Sequence, residues 1–243
     1  MKYCIFSDVH GNLEALEAFF TDIKGIDDLL LVFLGDAIGY GPNPNECLEL
    51  IRGRVDYFLM GNHDQAALDV ADISNFNPYA RNAILWTRRM LKDAHKDFLA
   101  GVEYEARHGR VTFVHATPCQ PDRWHYIFTV YDAQLNFHCF STQICFIGHS
   151  HQPITIIRDD HSQQLKVLVD TKVAIEPGKR YIINDGSVGQ PRDGNPMGCY
   201  VLFDDDAGTL EFRRVAYDFK KTQRKMIEYG LPEYLIERLE FGR

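Results

Sequence analysis

The sequence predicts an α/β fold of two stacked sheets flanked by helices, on three observations. Short uninterrupted apolar runs recur along the chain and read as buried strands. In the first half they alternate with stretches of helical periodicity, whereas beyond residue 151 strand-like segments follow one another without helices between them. The early runs all end within a few residues in Asp, Asn or His, at the strand edge where open α/β sheets place their ligand sites.

In chain order, residues 3–6 form the first strand, and Leu13, Leu16, Phe19, Phe20 and Ile23 then recur at helical spacing over 12–23. Residues 30–34 and 57–60 are strands separated by a helix over 44–52 that opens on Pro44. Residues 64–100 read as a mainly helical insertion, with Pro78 near a helix start and Ala83, Leu85, Trp86, Met90 and Leu91 as its buried stripe. Strands at 111–114 and 144–147 bracket a short helix over 130–140. Segments 153–158, 164–169, 180–183, 199–203 and 209–215 alternate in the manner of an antiparallel sheet. Residues 219–240 return to helix, broken at Gly230-Leu231-Pro232. At 243 residues and 45% apolar, a single domain over 1–243 can bury all of this.

The residues just past the strands are chemically selective. They are Asp8-Val9-His10, Gly35-Asp36, Gly61-Asn62-His63-Asp64, His115 and Gly148-His149-Ser150-His151. A charged group stays at the end of a buried strand only when it is paired or on a metal. Asp8, His10, Asp36, Asn62, His115, His149 and His151 offer oxygen and nitrogen donors without thiolate, a set suited to divalent or mixed-valence Mn, Fe, Zn or Ni. One ion takes about four to six ligands, so seven candidates favour two ions over a single structural site. Two cations roughly 3.5–4 Å apart need an anionic bridge, and Asp36 is the choice for it.

Arg192, in the Gly- and Pro-rich loop 186–198, either presents its guanidinium to a phosphate or sits in an ordinary turn. Asn12 is a candidate substrate contact, although a strand-end Asn more commonly caps the following helix. Among the remaining histidines, His95, His108 and His161 read as solvated and His138 as part of a helix face. The stretch Asp122-Arg123-Trp124-His125-Tyr126 either overhangs the site, where an aromatic and a cation suit a nucleoside or aryl phosphate, or is a packed loop.

These five segments resemble the motif series D-x-H, G-D, G-N-H-D/E, lone H and G-H-x-H of the calcineurin-like metallophosphoesterase superfamily, over residues 1 to about 200. The stretches Gly35-Asp36-Ala37-Ile38-Gly39-Tyr40-Gly41-Pro42 and Asp185-Gly186-Ser187-Val188-Gly189-Gln190-Pro191-Arg192 are similar to small bacterial and archaeal phosphoesterases related to the phosphodiesterase YfcE. The resemblance implies a four-layer α-β-β-α sandwich of two stacked mixed sheets. It also implies that Asp8, His10 and His151 serve one ion, that Asn62, His115 and His149 serve the other, and that Asp36 bridges. The implied reaction is phosphoester hydrolysis by a hydroxide between the ions, in line with the leaving oxygen. His63 would act as general acid, a role typically contributing about 10²–10⁴ in rate, with Asp64 either orienting it or capping the next helix.

Protein serine/threonine phosphatases usually continue the second motif as G-D-x-V-D-R-G, and here Gly39 and Tyr40 stand where that Asp and Arg would be. A phosphodiester or nucleotide-type substrate is therefore expected ahead of a phosphomonoester or phosphoprotein. A non-catalytic scaffold would be expected to let the ligands or His63 erode, and all are present; a metal-dependent regulator that hydrolyses only slowly is a third alternative, compatible with the same residues. Net charge of −8 argues against an extended nucleic-acid grip, and Lys220-Lys221 and Arg224-Lys225 read as a solvated helix face. The six cysteines are scattered without a C-x-x-C pair, and Met1-Lys2 leads straight into a strand, so the simplest compartment is the reducing cytoplasm. No apolar run approaches the roughly 18 residues of a membrane span.

Overall fold

Two six-stranded mixed sheets stack face to face between helices in the computed structural model, which describes residues 1–69, 73–74 and 76–243. The first sheet runs β3 (Tyr57–Phe58), β2 (Leu29–Phe33), β1 (Lys2–Phe6), β11 (Gly198–Asp204), β12 (Thr209–Val215) and β9 (Lys172–Ala174), with β1 to β3 mutually parallel. The second runs β4 (Glu105–His108), β5 (Val111–Val114), β6 (Ile144–Ile147), β10 (Lys179–Asn184), β7 (Ile154–Asp159) and β8 (Leu165–Leu168), with β5, β6 and β10 parallel.

Strand alternation assigns the layers. Tyr3 and Ile5 face the space between the sheets, where they meet Val32, Phe113, Phe146, Ile183, Val201 and Phe203. Cys4 and Phe6 face outward onto α1 (Leu13–Asp22) and α2 (Pro44–Arg52), and the Phe6 and Phe19 rings lie 4.3 Å apart between centroids. On the far side, Val114, Cys145, Ile147 and Ile182 meet Ala133 and Phe137 at α6 (Val130–Asn136). Each large side chain so buried contributes roughly 1.5–3 kcal/mol, and the result is a rigid frame under the loops at the strand ends.

Several expectations are corrected. The segments beyond residue 151 do not make one sheet: β7, β8 and β10 join the second sheet, and β9, β11 and β12 the first. Strands β4 and β9 were not expected, because EARH and KVA are short edge segments with too few apolar residues to show a period. The segment at about 64–100, expected to be mainly helical, contains α3 (Asn62–Ala67), α4 (Pro78–Met90) and α5 (Asp93–Ala100), and its residues 70–72 and 75 lie outside the described residues. In α4 the inward face is Ala80, Ala83, Ile84 and Thr87, a better i, i+3, i+4, i+7 stripe than the one expected, and Leu85 and Met90 are exposed. The helix expected over 130–140 ends at Asn136, leaving His138 exposed in the turn beyond it. His95 is buried rather than solvated, and His108 is half-buried with Nδ1 2.8 Å from the Tyr3 hydroxyl. Cys119 and Cys139 are joined in a disulfide, their Cα atoms 5.2 Å apart, while Cys4, Cys47, Cys145 and Cys199 are buried thiols. Among the described residues no helix is long and apolar enough to cross a membrane.

The C-terminal helices α7 (Phe219–Glu228) and α8 (Glu233–Phe241) pack beside Tyr40 and α4. Two of the lysines expected on a solvated face instead hold buried Glu14: Lys225 Nζ donates to Oε1 at 2.6 Å, and Lys221 Nζ lies at 3.2 Å. Burial pushes the Glu14 carboxyl up, but the two ammonium groups outweigh it and hold the group below its ordinary value of 4.5. Glu14→Gln is expected to cost about 1.5–3 kcal/mol in denaturant unfolding at pH 7. Because the folded pKa is depressed, this contribution is full above pH 4.5 and is lost as pH falls through the folded value, so wild type and variant converge in acid. A constant gap from pH 7 to pH 3 would refute the ion-pair account.

Candidate metal centre

Asp8, His10, Asp36, Asn62, His115, His149 and His151 lie just past the carboxyl ends of β1, β2, β3, β5 and β6, and the structure brings them to one place. Asp8, His10, Asp36, His149 and His151 have positive φ, between 51° and 67°, and make up five of the nine such non-glycine residues among those described. That conformation costs about 1–3 kcal/mol per residue, and the surrounding backbone enforces it. Asp8 N donates to Gly35 O at 3.0 Å, His10 N to Asp36 O at 2.9 Å and Gly148 N to His115 O at 2.8 Å, so the ligand loops are sewn to one another. Two of the motif glycines are required by crowding. A Cβ on Gly61 would stand 2.1 Å from Asp36 Oδ1, and one on Gly148 would stand 2.6 Å from Asp8 Oδ2.

Three donor sets form: Asp8, His10 and His151; His10, Asp36 and His63; and Asp36, His115 and His149. Asp36 Oδ2 lies 3.6 Å from His10 Nε2 and 3.4 Å from His115 Nε2, between the two sides of the cluster. Asp8 Oδ1 is 3.1 Å from His151 Nε2 and 3.5 Å from His10 Nε2. Asn62 Oδ1 is 3.3 Å from His115 Nε2.

The hydrogen bonds around the cluster fix which nitrogen faces it. His151 Nδ1 donates to Gln190 O at 2.6 Å and His10 Nδ1 to Ile38 O at 3.2 Å. Each ring therefore turns a bare Nε2 lone pair inward, and the two Nε2 atoms face each other at 3.1 Å. His149 Nε2 donates to the Trp124 carbonyl at 3.1 Å, leaving Nδ1 free. Asp8 Oδ1 and His115 Nδ1 are buried without a partner. Lone pairs and carboxylates packed this closely are costly unless cations lie among them, so the donor set fits metal ions.

Electrostatics agree. Burial holds His149 and His151 down to about 3 and His63 well below the usual range, which keeps these imidazoles neutral. Burial also opposes charge on His115, but Asp36 and Asp8 outweigh it and raise the ring to about 9, marking a place where positive charge is wanted. The Asp8 carboxyl is disfavoured by burial, yet His151 and His115 hold it well below the carboxylate range.

The other expected site residues fare differently. His63 is buried against Tyr40, His10 and Phe76, with Nδ1 unpartnered. Asp64 does not reach it: Oδ2 accepts from Asp36 N at 2.7 Å and Gly61 N at 3.2 Å, and Oδ1 from Ile38 N at 3.3 Å. Asp64 thus braces the backbone of the Asp36 loop, and burial together with the Asp36 charge pushes its carboxyl up to about 7. Asn12 caps the following helix, Oδ1 accepting from Ala15 N at 3.2 Å and from the Thr222 hydroxyl at 3.0 Å, while Nδ2 donates to Gly189 O at 2.7 Å. Arg192 stands at the site, donating to Gln190 Oε1 at 2.8 Å with its guanidinium over the Tyr40 ring; its Nε is buried without a partner, and no carboxylate among the described residues pairs with it. Of the overhanging stretch, Trp124 and Tyr126 reach the cluster, while His125 is exposed.

Two residues escaped sequence reasoning. Ser7 Oγ lies 2.5 Å from Asp8 Oδ2 and 2.8 Å from Asp185 Oδ1, and burial, reinforced by Asp8, pushes the Asp185 carboxyl well above its usual range. Asp185 comes after a strand-like run just as Asp8 does, and that rule would have found it.

Residues 1–208 match the Calcineurin-like phosphoesterase superfamily domain. The uncharacterized protein MJ0912 of Methanocaldococcus jannaschii is 40% identical over 98% of this chain and 97% of its own length. A metallophosphoesterase from Sphaerobacter thermophilus superposes with a TM-score of 0.88 at 42% identity, over 100% of this chain and 99% of that one. The hypothetical protein PH1004 of Pyrococcus horikoshii OT3 shares the fold, with a TM-score of 0.81 at 16% identity, over 100% and 98% of the two chains. With the motifs, the sheets and most of its length in agreement, the chain belongs to the calcineurin-like phosphoesterase superfamily, a family of hydrolases.

Proposed function

We propose that the protein is a dinuclear metallophosphoesterase acting on small phosphodiester or nucleotide-type substrates. The observation that carries this reading is the place of Asp36, whose carboxylate belongs to donor sets on both sides of the cluster. Asp8, His10 and His151 would hold one ion, Asn62, His115 and His149 the other, with Asp36 common to both; Mn, Fe, Zn and Ni suit these donors. When bound, the ions supply a nucleophilic water at neutral pH and offset the charge that develops on the phosphoryl oxygens.

The chain's own groups do the rest. Arg192, cationic and without a carboxylate partner among the described residues, holds a non-bridging phosphoryl oxygen through its open donors. His63 gives its proton to the leaving oxygen; an imidazole held neutral by burial gains charge when an anion sits beside it, which ties its protonation to substrate occupancy. Gly39 has φ of +131°, and a Cβ there would stand 2.5 Å from His63 Nδ1. That crowding leaves no room for the Asp of the protein-phosphatase motif and favours diesters over phosphoproteins. Metal analysis of purified protein, followed by hydrolysis of aryl phosphate mono- and diesters with Mn²⁺, Ni²⁺ and Zn²⁺, tests the reading. Two ions per chain and faster diester turnover are expected; one ion, or hydrolysis of monoesters alone, overturns it.

A further inference from the structure

We propose that Tyr126 and Phe128 form a subsite for the planar aromatic ring of the substrate, so that the preferred phosphodiester carries a nucleobase or aryl group; this rests on the phosphodiesterase reading above. The rings of His149, Tyr126 and Phe128 make a continuous stack. Tyr126 lies 4.0 Å from His149 at 19°, and Phe128 lies 4.7 Å from Tyr126 at 10°. The inner end of this stack is a candidate metal ligand. Its outer end is open, with Phe128 70% exposed.

Packing does not account for that exposure. In the same segment Ile127 turns in against the outer core of the second sheet, while Phe128 stays in solvent beside exposed Val130 and Tyr131. Nor is the loop slack. Cys119 is bonded to Cys139, Gln120 and Trp124 take left-handed conformations at the two ends of a 3₁₀ turn (Pro121–Arg123), and Trp124 Nε1 donates to Gln65 Oε1 at 2.9 Å. Phe128 N and Thr129 N both donate to Asp132 Oδ2, at 3.2 and 2.9 Å. A ring held this firmly on neighbouring rings is a preorganised platform, and a flat group stacks on it at little further entropic cost. Arg192, the cation that would hold the phosphoryl group, lies over the Tyr40 ring, which packs 4.4 Å from His10 in the same cluster that the inner end of the stack adjoins.

The test uses two diesters with the same reacting centre: thymidine 5′-methyl phosphate and its abasic counterpart, 2-deoxyribose 5-methyl phosphate. Base stacking on one aromatic side chain typically changes affinity about ten-fold or more. Phe128→Ala should raise KM for the thymidine ester about ten-fold with kcat within about two-fold, and shift the abasic ester by less than two-fold. Phe128→Trp should restore the preference, and Phe128→Leu, apolar but without a ring, should not. Phenyl against cyclohexyl methyl phosphate shows whether a simple aryl ring suffices. In parallel, calorimetry of the Mn²⁺-loaded protein compares thymidine 5′-phosphate with 2-deoxyribose 5-phosphate. A wild type that hydrolyses neither ester but binds the thymidine compound more tightly, with the difference lost in Phe128→Ala, keeps the subsite and removes the phosphodiesterase reading. Equal affinities in the wild type, or equal losses on both ligands, overturn the subsite.

Discussion

Asp36→Asn is expected to lower metal content and to reduce turnover more than about 100-fold, since loss even of a group that merely supports a ligand costs about 10–100-fold. The substitution keeps shape and removes charge. Asp36 Oδ1 also accepts from His63 N at 2.8 Å, a bond an amide oxygen can retain, so the protein should stay folded. What disappears is the negative charge that favours cations beside His10 and His115. With Asp36 neutral, His115 loses the larger of the carboxylate influences that raise it to about 9, and its proton should be released at lower pH. Metal analysis, circular dichroism and hydrolysis of an activated diester measure the three effects. Full activity in a folded variant, at wild-type metal content, would remove the two-ion account.

His63→Gln should behave in the opposite way, keeping both ions and losing rate in proportion to how badly the leaving group needs a proton. Alkyl esters should slow by about 10²–10⁴ and 4-nitrophenyl esters by far less. Gln is preferred to Ala because the His63 ring packs against Tyr40 at 4.4 Å and Phe76 at 5.2 Å, and a void there would confuse chemistry with stability. Equal losses on activated and unactivated esters would show that His63 only positions the substrate.

The part of this molecule that could be read from its sequence is the part made of short-range regularities. Runs 111–114 and 144–147 and the helix 44–52 match the observed elements residue for residue, because an apolar run or a Pro at a helix start is self-contained. All seven donors converge because each buried strand delivers the residues at its carboxyl end to one sheet edge. The rest could not be read, because it depends on backbone partners far away in the chain. The carbonyls of Ile38, Gln190 and Trp124 that orient His10, His151 and His149 can come from any residue type, so no side chain announces them. Asp64 shows the same limit in part: the helix cap expected of it is present through the Gly61 amide, but the amides of Asp36 and Ile38 that its oxygens also accept from are distant in the chain.

The crowding at Gly61 and Gly148 limits how this centre can be re-engineered. Each glycine gives up its side-chain volume to a carboxylate of a different motif, Asp36 in one case and Asp8 in the other. Lengthening either acid by a methylene would drive its oxygens into that backbone, and filling either glycine would expel the acid, so neither motif can be retuned without its neighbour. Attempts to change which cation the chain prefers are better aimed at the imidazole side of the cavity, where the orienting partners are carbonyls that need no matching substitution.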